Sequence, residues 1–271
     1  MDSPYCSGRI HSVNRKFLMG TLFLVATPIG NLGDISARAL DTLRMADVIA
    51  CEDTRQTLKL LSHFGLQKPL TSYHDFNERE KAVELAERIE RGENIAVVSD
   101  AGTPAISDPG YRLVRLCRER GLPVVSIPGA NAAITALSAS GLPSDQFQFV
   151  GFLPPRKSAR REHLETLRAY PGTLIFYEGP HRIQDALEDI QFVFGDREVC
   201  VGRELTKLHE EYLFGSLSEV RPRIKELGEF VIVVAGASAS EAIPPPELTR
   251  ESALKILGIS RNQLYDLFFK K

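Results

Sequence analysis

The stretch "IAVVSDAGTPAISDPGYRLVRLCRERGLPVVSIPG", Ile95–Gly129, contains one complete strand–helix–strand cycle, and its reading decides the fold. "IAVVS" is a short apolar run bounded by turn residues, the pattern of a buried strand. "YRLVRLCRERG" reads as a helix ending at Gly121, and "VVSIP" as the next strand. Between them lie two aspartates, two prolines, two glycines and three hydroxyls, with Ile106 as the one large side chain. Asp108 followed by Pro109 reads as an N-cap and first-turn proline opening the helix. The first half of the loop reads differently. Ligands of open α/β sheets bind outside the carboxyl ends of the strands, and Asp100, Gly102, Thr103 and Ser107 would offer donors and acceptors there without filling the space.

The same alternation extends outward. "TLFLVAT" and "VIAC" read as strands, "ARALDTLRMAD" as a helix, and "AVELAERIERG" as a helix with Ala82, Leu85, Ala86 and Ile89 on one face and Gly92 as its terminator. "NAAITALSASG" is a further helix ending at Gly141. This order predicts an α/β domain over residues 21–140, a mainly parallel sheet with helices on both faces. Beyond "GLPSD", the adjacent strands "EVCVGRE" and "EEYLFGS" imply antiparallel pairing, so a second α/β domain over 141–240 is expected to hold a mixed sheet. Residues 1–20 read as a leader without ordered structure, upstream of a natural start at Met19. Residues 241–271 read as a stiff proline linker, "IPPPE", and a short helical tail with Ser260 as an N-cap.

Composition narrows the class. The chain is 43% apolar and 25% charged with a formal net charge of -2, and no apolar stretch approaches the roughly 18 residues of a membrane span. A soluble protein is expected, and any polyanion must meet a local basic patch. Cys6, Cys51, Cys117 and Cys200 are scattered, which suits a reducing cytoplasm and gives neither a disulfide framework nor a zinc site. The histidines form no metal-binding pattern, so no metal is expected. The absence of G-x-G-x-x-G and G-x-x-x-x-G-K-[ST] removes the best support for a nicotinamide enzyme or a P-loop NTPase.

Two more strand ends carry glycine-bearing loops. "ATPIGNLGD" brings Pro28, Gly30 and Asn31, which taken alone is ordinary turn chemistry, and "IPGANAAITALSASG" brings Gly129, Ala130 and Ala132, where close helix-to-sheet packing would equally explain the alanines. "LPPRKSARRE" clusters Arg156, Lys157, Arg160 and Arg161 at a helix start, where positive charge opposes the macrodipole and so invites a phosphate. Glu52 in "CEDTR", His74 in "SYHDFNE", Glu178, His181 and Arg182 in "YEGPHRI", and Arg203 and Lys207 in "GRELTKLHEE" complete the charged candidates. Each also has an ordinary reading as a surface ion.

Taken together, "LVATPIGNLGDIS", "CEDTR", "SYHDFNE", "VVSDAGTPAISDPG", "IPGANAAITAL", "GFLP", "YEGPHRI" and "RELTKLHEE" resemble the ribosomal RNA methyltransferases of the tetrapyrrole methylase superfamily, from about Thr21 to Ala237. The resemblance implies two α/β domains with S-adenosylmethionine in the cleft between them, and a homodimer. It implies methylation of the ribose 2′-hydroxyl of a cytidine in the decoding region of small-subunit ribosomal RNA, as RNA or as the assembled subunit. By the same resemblance, cofactor contact falls to Pro28, Gly30, Asn31, Asp100, Gly102, Thr103, Ser107, Asp108, Gly129, Ala130 and Ala132, with Tyr177, Val234, Ala235 and Gly236 from the second domain. Asp100, Glu178 and Glu52 are the candidate catalytic carboxylates, with His74 and His181 as alternatives by chemistry. Arg156, Lys157, Arg160, Arg161, Arg182, Arg203 and Lys207 are assigned to RNA phosphates. Three alternatives remain on the sequence: methylation of a tetrapyrrole, methylation of a protein side chain, and a non-catalytic RNA-binding assembly factor on the same scaffold.

Overall fold

The computed structural model describes residues 19–238, so the expected leader up to residue 18, the proline linker and the tail with its Ser260 cap lie outside the described residues. The strands of the first half are β1 (Leu22–Val25), β2 (Val48–Cys51), β3 (Leu70–Ser72), β4 (Ile95–Val98) and β5 (Val124–Ile127). They form one sheet in the order β3-β2-β4-β1-β5, and β1–β4, β1–β5, β2–β3 and β2–β4 all pair parallel. The helices are α1 (Ala37–Met45), α2 (Thr54–His63), α3 (Glu78–Glu90), α4 (Tyr111–Glu119) and α5 (Ala132–Ala139).

Alternation along β4 assigns those helices to faces. Ile95 and Val97 pack with Leu85, Ala86 and Ile89 of α3 and with Leu113 and Cys117 of α4. Ala96 and Val98 pack on the other side with Ala39 and Leu43 of α1 and Leu61 of α2. All four β4 residues are buried, as expected of a central strand in a sheet covered on both faces. The helix leaving β1 therefore lies on the opposite face from the helix leaving its neighbour β4, which makes the carboxyl edge between them a topological switch point.

The second sheet is mixed and has the order β6-β7-β10-β8-β9, built from β6 (Phe147–Phe152), β7 (Thr173–Glu178), β8 (Glu198–Arg203), β9 (Glu211–Ser216) and β10 (Phe230–Val234). Its helices are α6 (Lys157–Leu167), α7 (Ile183–Phe194) and the single turn α8 (Leu217–Val220). By density of contacts the chain forms two compact units. The first holds the described residues up to Ala139 together with Gly202–Tyr212 and Gly228–Val231; the second holds Ser140–Val201, Leu213–Leu227 and the described residues from Ile232 onward. Two segments from late in the sequence thus complete the first unit.

Two local expectations are corrected. Helix α4 starts at Tyr111, with Gly110 at the N-cap position, and Asp108 does not cap it. The cap comes instead from the first residue of α3, since Glu78 Oε1 accepts from Gly110 N at 3.0 Å and from Arg112 N at 3.3 Å. Arg160 is not a surface cation for RNA. It is 2% exposed, its Nε donates to Asp189 Oδ2 at 2.7 Å, and Asp189 is itself 0% exposed. Arg161 Nε donates to the other oxygen of Asp189 at 2.5 Å, and its guanidinium stacks over Phe192. The positive charge at the start of α6 is answered by a carboxylate of α7.

Breaking such a buried pair from one side leaves an uncompensated charge, which costs about 3–5 kcal/mol. Asp189→Ala is expected to lower unfolding stability by about that amount in urea titration. Glu188→Ala removes the exposed partner of Lys157 and should cost less than about 1 kcal/mol. Equal losses from the two variants would contradict the account.

Candidate active site at the carboxyl edge of the parallel sheet

The three glycine-bearing loops are tied together where β1, β4 and β5 end. Thr27 and Gly102 exchange backbone hydrogen bonds, Thr27 N to Gly102 O at 2.9 Å and Gly102 N to Thr27 O at 3.1 Å. Thr103 Oγ1 donates to Ala130 O at 3.1 Å, joining the β4 loop to the β5 loop. Buried Ser99 donates from Oγ to the carbonyls of Ala101 and Gly102 at 3.3 and 3.2 Å. The loop is therefore held from inside, while Asp100, Ala101, Pro128 and Gly129 stay open to solvent.

Among the described residues, backbone strain falls in two places. The non-glycine residues with positive φ among the described residues are Ala105 (67°), Ser107 (61°), Glu204 (51°) and Thr206 (66°). Residues other than glycine in this region cost of order 1 kcal/mol or more each and tend to cluster at functional sites. The first two belong to the β4 loop. The second two belong to the Gly202–Tyr212 segment, which lies against the β1 loop. Asn31 N donates to Thr206 Oγ1 at 3.1 Å. A Cβ on Gly30 would lie 2.4 Å from Lys207 Cγ, so only glycine allows this approach. Lys207 Nζ is fixed between Glu204 Oε1 at 2.7 Å and Glu229 Oε2 at 2.8 Å.

These elements enclose a cavity of about 370 Å³ within the first unit. Pro28, Gly30 and Asp100 line it, as do Gln56, Lys59 and Leu60 of α2 and Lys207 and Glu229. The α2 residues are absent from the sequence-derived candidates. Their signal was available: Asp53 accepts from Arg55 N at 2.8 Å as the N-cap, and Thr57, Leu60, Leu61 and Phe64 follow at helical spacing.

Beside the cavity is an acidic group. Asp53 N donates to Asp100 Oδ1 at 3.2 Å, and Glu52, Asp75 and Asp108 are near enough to act on one another electrostatically. Burial raises the Glu52 carboxyl above its ordinary range, and the charges of Asp100 and Asp75 add to the effect. Burial pushes Asp108 up to about 6, with the Glu52 charge reinforcing it against a hydrogen bond from Ser99. His74 follows β3 close by, and its Nδ1 is buried without a hydrogen-bond partner. Among the described residues no group of His, Cys, Asp and Glu is arranged to hold a metal ion, and no helix is long and apolar enough to cross a membrane.

The remaining candidates separate. Asn31 Oδ1 accepts from Gly33 N at 3.0 Å and caps a short 3-10 turn, and Ala132 is the first residue of α5. In the second unit, Glu178 ends β7, 3% exposed, with Oε2 3.1 Å from Arg182 Nη2. Burial raises the Glu178 carboxyl above its ordinary range. Arg182 also donates to Leu153 O at 2.5 Å. Tyr177 makes edge contacts with Phe149 and Phe152, at 4.9 and 5.8 Å between ring centroids. Val234 ends β10, Ala235 N donates to Glu198 O at 2.9 Å, and a Cβ on Gly236 would meet Pro171 O at 2.0 Å, so chain packing alone demands that glycine. His181 is exposed. Of the proposed phosphate contacts, Arg203 is paired with Glu211 at 2.9 Å, whereas Arg156 and Lys157 are exposed, with Lys157 near Glu188 at 3.1 Å.

A sequence model of the tetrapyrrole (corrin/porphyrin) methylases matches residues 21–221. The ribosomal RNA small subunit methyltransferase I of Halalkalibacterium halodurans is 52% identical over 236 residues, covering 86% of this chain and 81% of that protein. The protein of the same name from Escherichia coli O157:H7 is 48% identical over 267 residues, covering 91% and 93%. Among solved structures, uroporphyrin-III C-methyltransferase from Thermus thermophilus complexed with S-adenosyl homocysteine superposes with a TM-score of 0.55 at 19% identity, over 80% of this chain and 97% of that one. A diphthine synthase superposes with a TM-score of 0.59 at 16% identity, over 79% and 89%. At those identities the structures show the shared fold.

The raised carboxyl gives a pH signature. Asp108 holds its proton to about pH 6 in the fold against an ordinary 3.8, so the folded state binds that proton more tightly than the unfolded chain. The resulting stabilisation is full below pH 4 and is lost as pH rises through 6. Asp108→Asn keeps a neutral side chain throughout. Its stability advantage over the unsubstituted protein is expected to grow by about 1 kcal/mol between pH 5 and pH 8 in urea titrations. An advantage that shrinks over that range would contradict the assignment.

Proposed function

The chain belongs to the tetrapyrrole (corrin/porphyrin) methylase family, and from that premise we propose that it methylates the ribose 2′-hydroxyl of a cytidine in the decoding region of small-subunit ribosomal RNA. One observation carries the reading: relatives 52% and 48% identical over most of both chains are named ribosomal RNA small subunit methyltransferase I. S-adenosylmethionine is the methyl donor.

The donor set fits that cofactor. Its amino-acid and ribose groups need hydrogen-bonding partners and its adenine needs a surface without bulk, which the open backbone at Asp100, Ala101 and Gly129 and the small side chains of Ala130 and Ala132 offer. Its charge is positive at the sulfur and at the amine, and the nearby carboxylates Glu52, Asp75, Asp100 and Asp108 suit a cation. When bound, the cofactor supplies a methyl group already activated on a sulfonium. Pro28, Gly30, Asn31, Gly102, Thr103, Ser107 and Gly129 would position it, and alignment with the acceptor is the main task left to the protein. Tyr177, Val234 and Ala235 belong to the same reading.

The acceptor hydroxyl is a weak nucleophile until its proton is drawn away. Asp100 takes that role in this reading, because it lies both on the cavity wall and among the cofactor loops. Glu52, raised by burial and by Asp100, is the neighbouring carboxylate able to share the proton. Glu178 is already engaged with Arg182. The RNA backbone falls to the exposed Arg156 and Lys157. A cytoplasmic homodimer is part of the same inference.

The direct test supplies methyl-labelled S-adenosylmethionine and small ribosomal subunits lacking the modification, then digests the RNA to nucleosides. Label is expected on 2′-O-methylcytidine. Asp100→Ala should abolish cofactor binding by calorimetry, and Arg156→Ala with Lys157→Ala should raise KM for the subunits at unchanged cofactor affinity. Absence of label from the RNA would overturn the function, and unchanged cofactor affinity in Asp100→Ala would overturn the site.

A further inference from the structure

The α2 wall of the cavity has a composition that the cofactor does not explain. The cavity is bounded by the β1 loop, the exposed face of α2 and Lys207, and it shares Pro28, Gly30 and Asp100 with the cofactor loops. Two lysines face it in different states. Lys207 is neutralised by Glu204 and Glu229 at 2.7 and 2.8 Å and serves as a fixed wall. Lys59 is exposed and touches the side-chain oxygen of Gln56 at 3.3 Å, with no carboxylate partner among the described residues. A free ammonium there disfavours a cofactor that is itself cationic and favours a phosphate ester. Leu60 and Ile29 add apolar surface, while Gln56 presents an amide. A cavity of about 370 Å³ lies at the small end of the roughly 300–1,000 Å³ typical of ligand sites, a size suited to one nucleotide. The topology explains the space: the connection leaving β4 departs to the α3/α4 face, away from the α1/α2 face on which the cavity lies.

We propose that this cavity is the acceptor subsite, taking one unstacked nucleotide of a single-stranded RNA segment, with Lys59 on its phosphate, Gln56 on its base edge and Leu60 against the base. The assignment rests on the RNA methyltransferase reading above. It places the two substrates side by side, with the donor on the loops of β1, β4 and β5, the acceptor against α2, and Pro28, Gly30 and Asp100 at the boundary between them. Single-stranded RNA is read by hydrogen bonds to base edges and by packing of unstacked bases, and the cavity offers both. Lys59 would contribute one phosphate contact, which sets the size of its salt effect.

The test uses the full chain, small ribosomal subunits lacking the modification, and S-adenosylhomocysteine as the cofactor probe. Lys59→Gln, at an exposed position, should raise KM for subunits about tenfold, leave S-adenosylhomocysteine affinity within about twofold, and reduce the slope of log affinity for subunits against log salt by about 0.7–0.9. Leu60→Trp fills the cavity without changing charge and should lower kcat/KM about tenfold with the salt slope unchanged. If either variant loses S-adenosylhomocysteine affinity tenfold, the cavity belongs to the donor and the proposal falls. It also falls if both variants retain the unsubstituted KM. Failure of the unsubstituted protein to label RNA would sink the functional reading itself, an outcome distinct from an active enzyme whose α2 variants behave normally.

Discussion

The structure depends on the position of β4. Its residues Ile95–Val98 are buried on both faces, between β2 and β1, and its connection crosses to the face opposite the helices that follow β1 and β2. A strand so placed cannot be followed by a plain turn. The chain must leave the sheet edge, satisfy its own backbone polar groups, and reach the opposite face without covering the edge. Ser99–Gly110 does this with the Thr27–Gly102 backbone pair, the Ser99 hydroxyl and left-handed residues at Ala105 and Ser107. The open carboxyl edge follows from the topology, and the small side chains follow from the open edge.

A second constraint comes from the far end of the sequence. Gly202–Tyr212 and Gly228–Val231 pack in the first unit, and the former comes so close to the β1 loop that Gly30 has no room for a side chain. Glu204 and Thr206 adopt left-handed backbone to make that approach. The Lys207 ion pairs with Glu204 and Glu229, and a hydrogen bond from Thr206 N to Glu210, hold the segment in place. Strain at both loops is thus matched by local bonds, and both border the same cavity. The site is built from segments nearly 200 residues apart in sequence, roughly the span from Gly30 to Glu229.

Much of this was legible in the sequence, and the exceptions share a cause. The strand–helix alternation from Thr21 to Gly141 fixes a parallel sheet, and the glycine-bearing strings mark the strand ends that meet at its carboxyl edge. Local grammar misled where a distant residue supplied the partner. Asp108 before Pro109 has the form of a helix cap, yet Glu78 from α3 performs the capping and leaves Asp108 among the carboxylates. Arg160 at a helix start has the form of a phosphate ligand, yet Asp189 on α7 neutralises it inside the second unit. Lys59 escaped notice because a lysine on an exposed helical face is common, and its isolation from carboxylates among the described residues is a property of the fold rather than of neighbouring residues.

The central claim is that the open loops at the ends of β1, β4 and β5 form the cofactor surface of a methyltransferase. Amide hydrogen exchange across the full chain, with and without saturating S-adenosylhomocysteine, tests it most directly, because a ligand lying on backbone slows exchange where it lies. The account predicts slowed exchange in Ile29–Asn31, Asp100–Ser107 and Gly129–Ala132. Saturated binding that leaves exchange in all three loops unchanged, and slows it elsewhere, would contradict it.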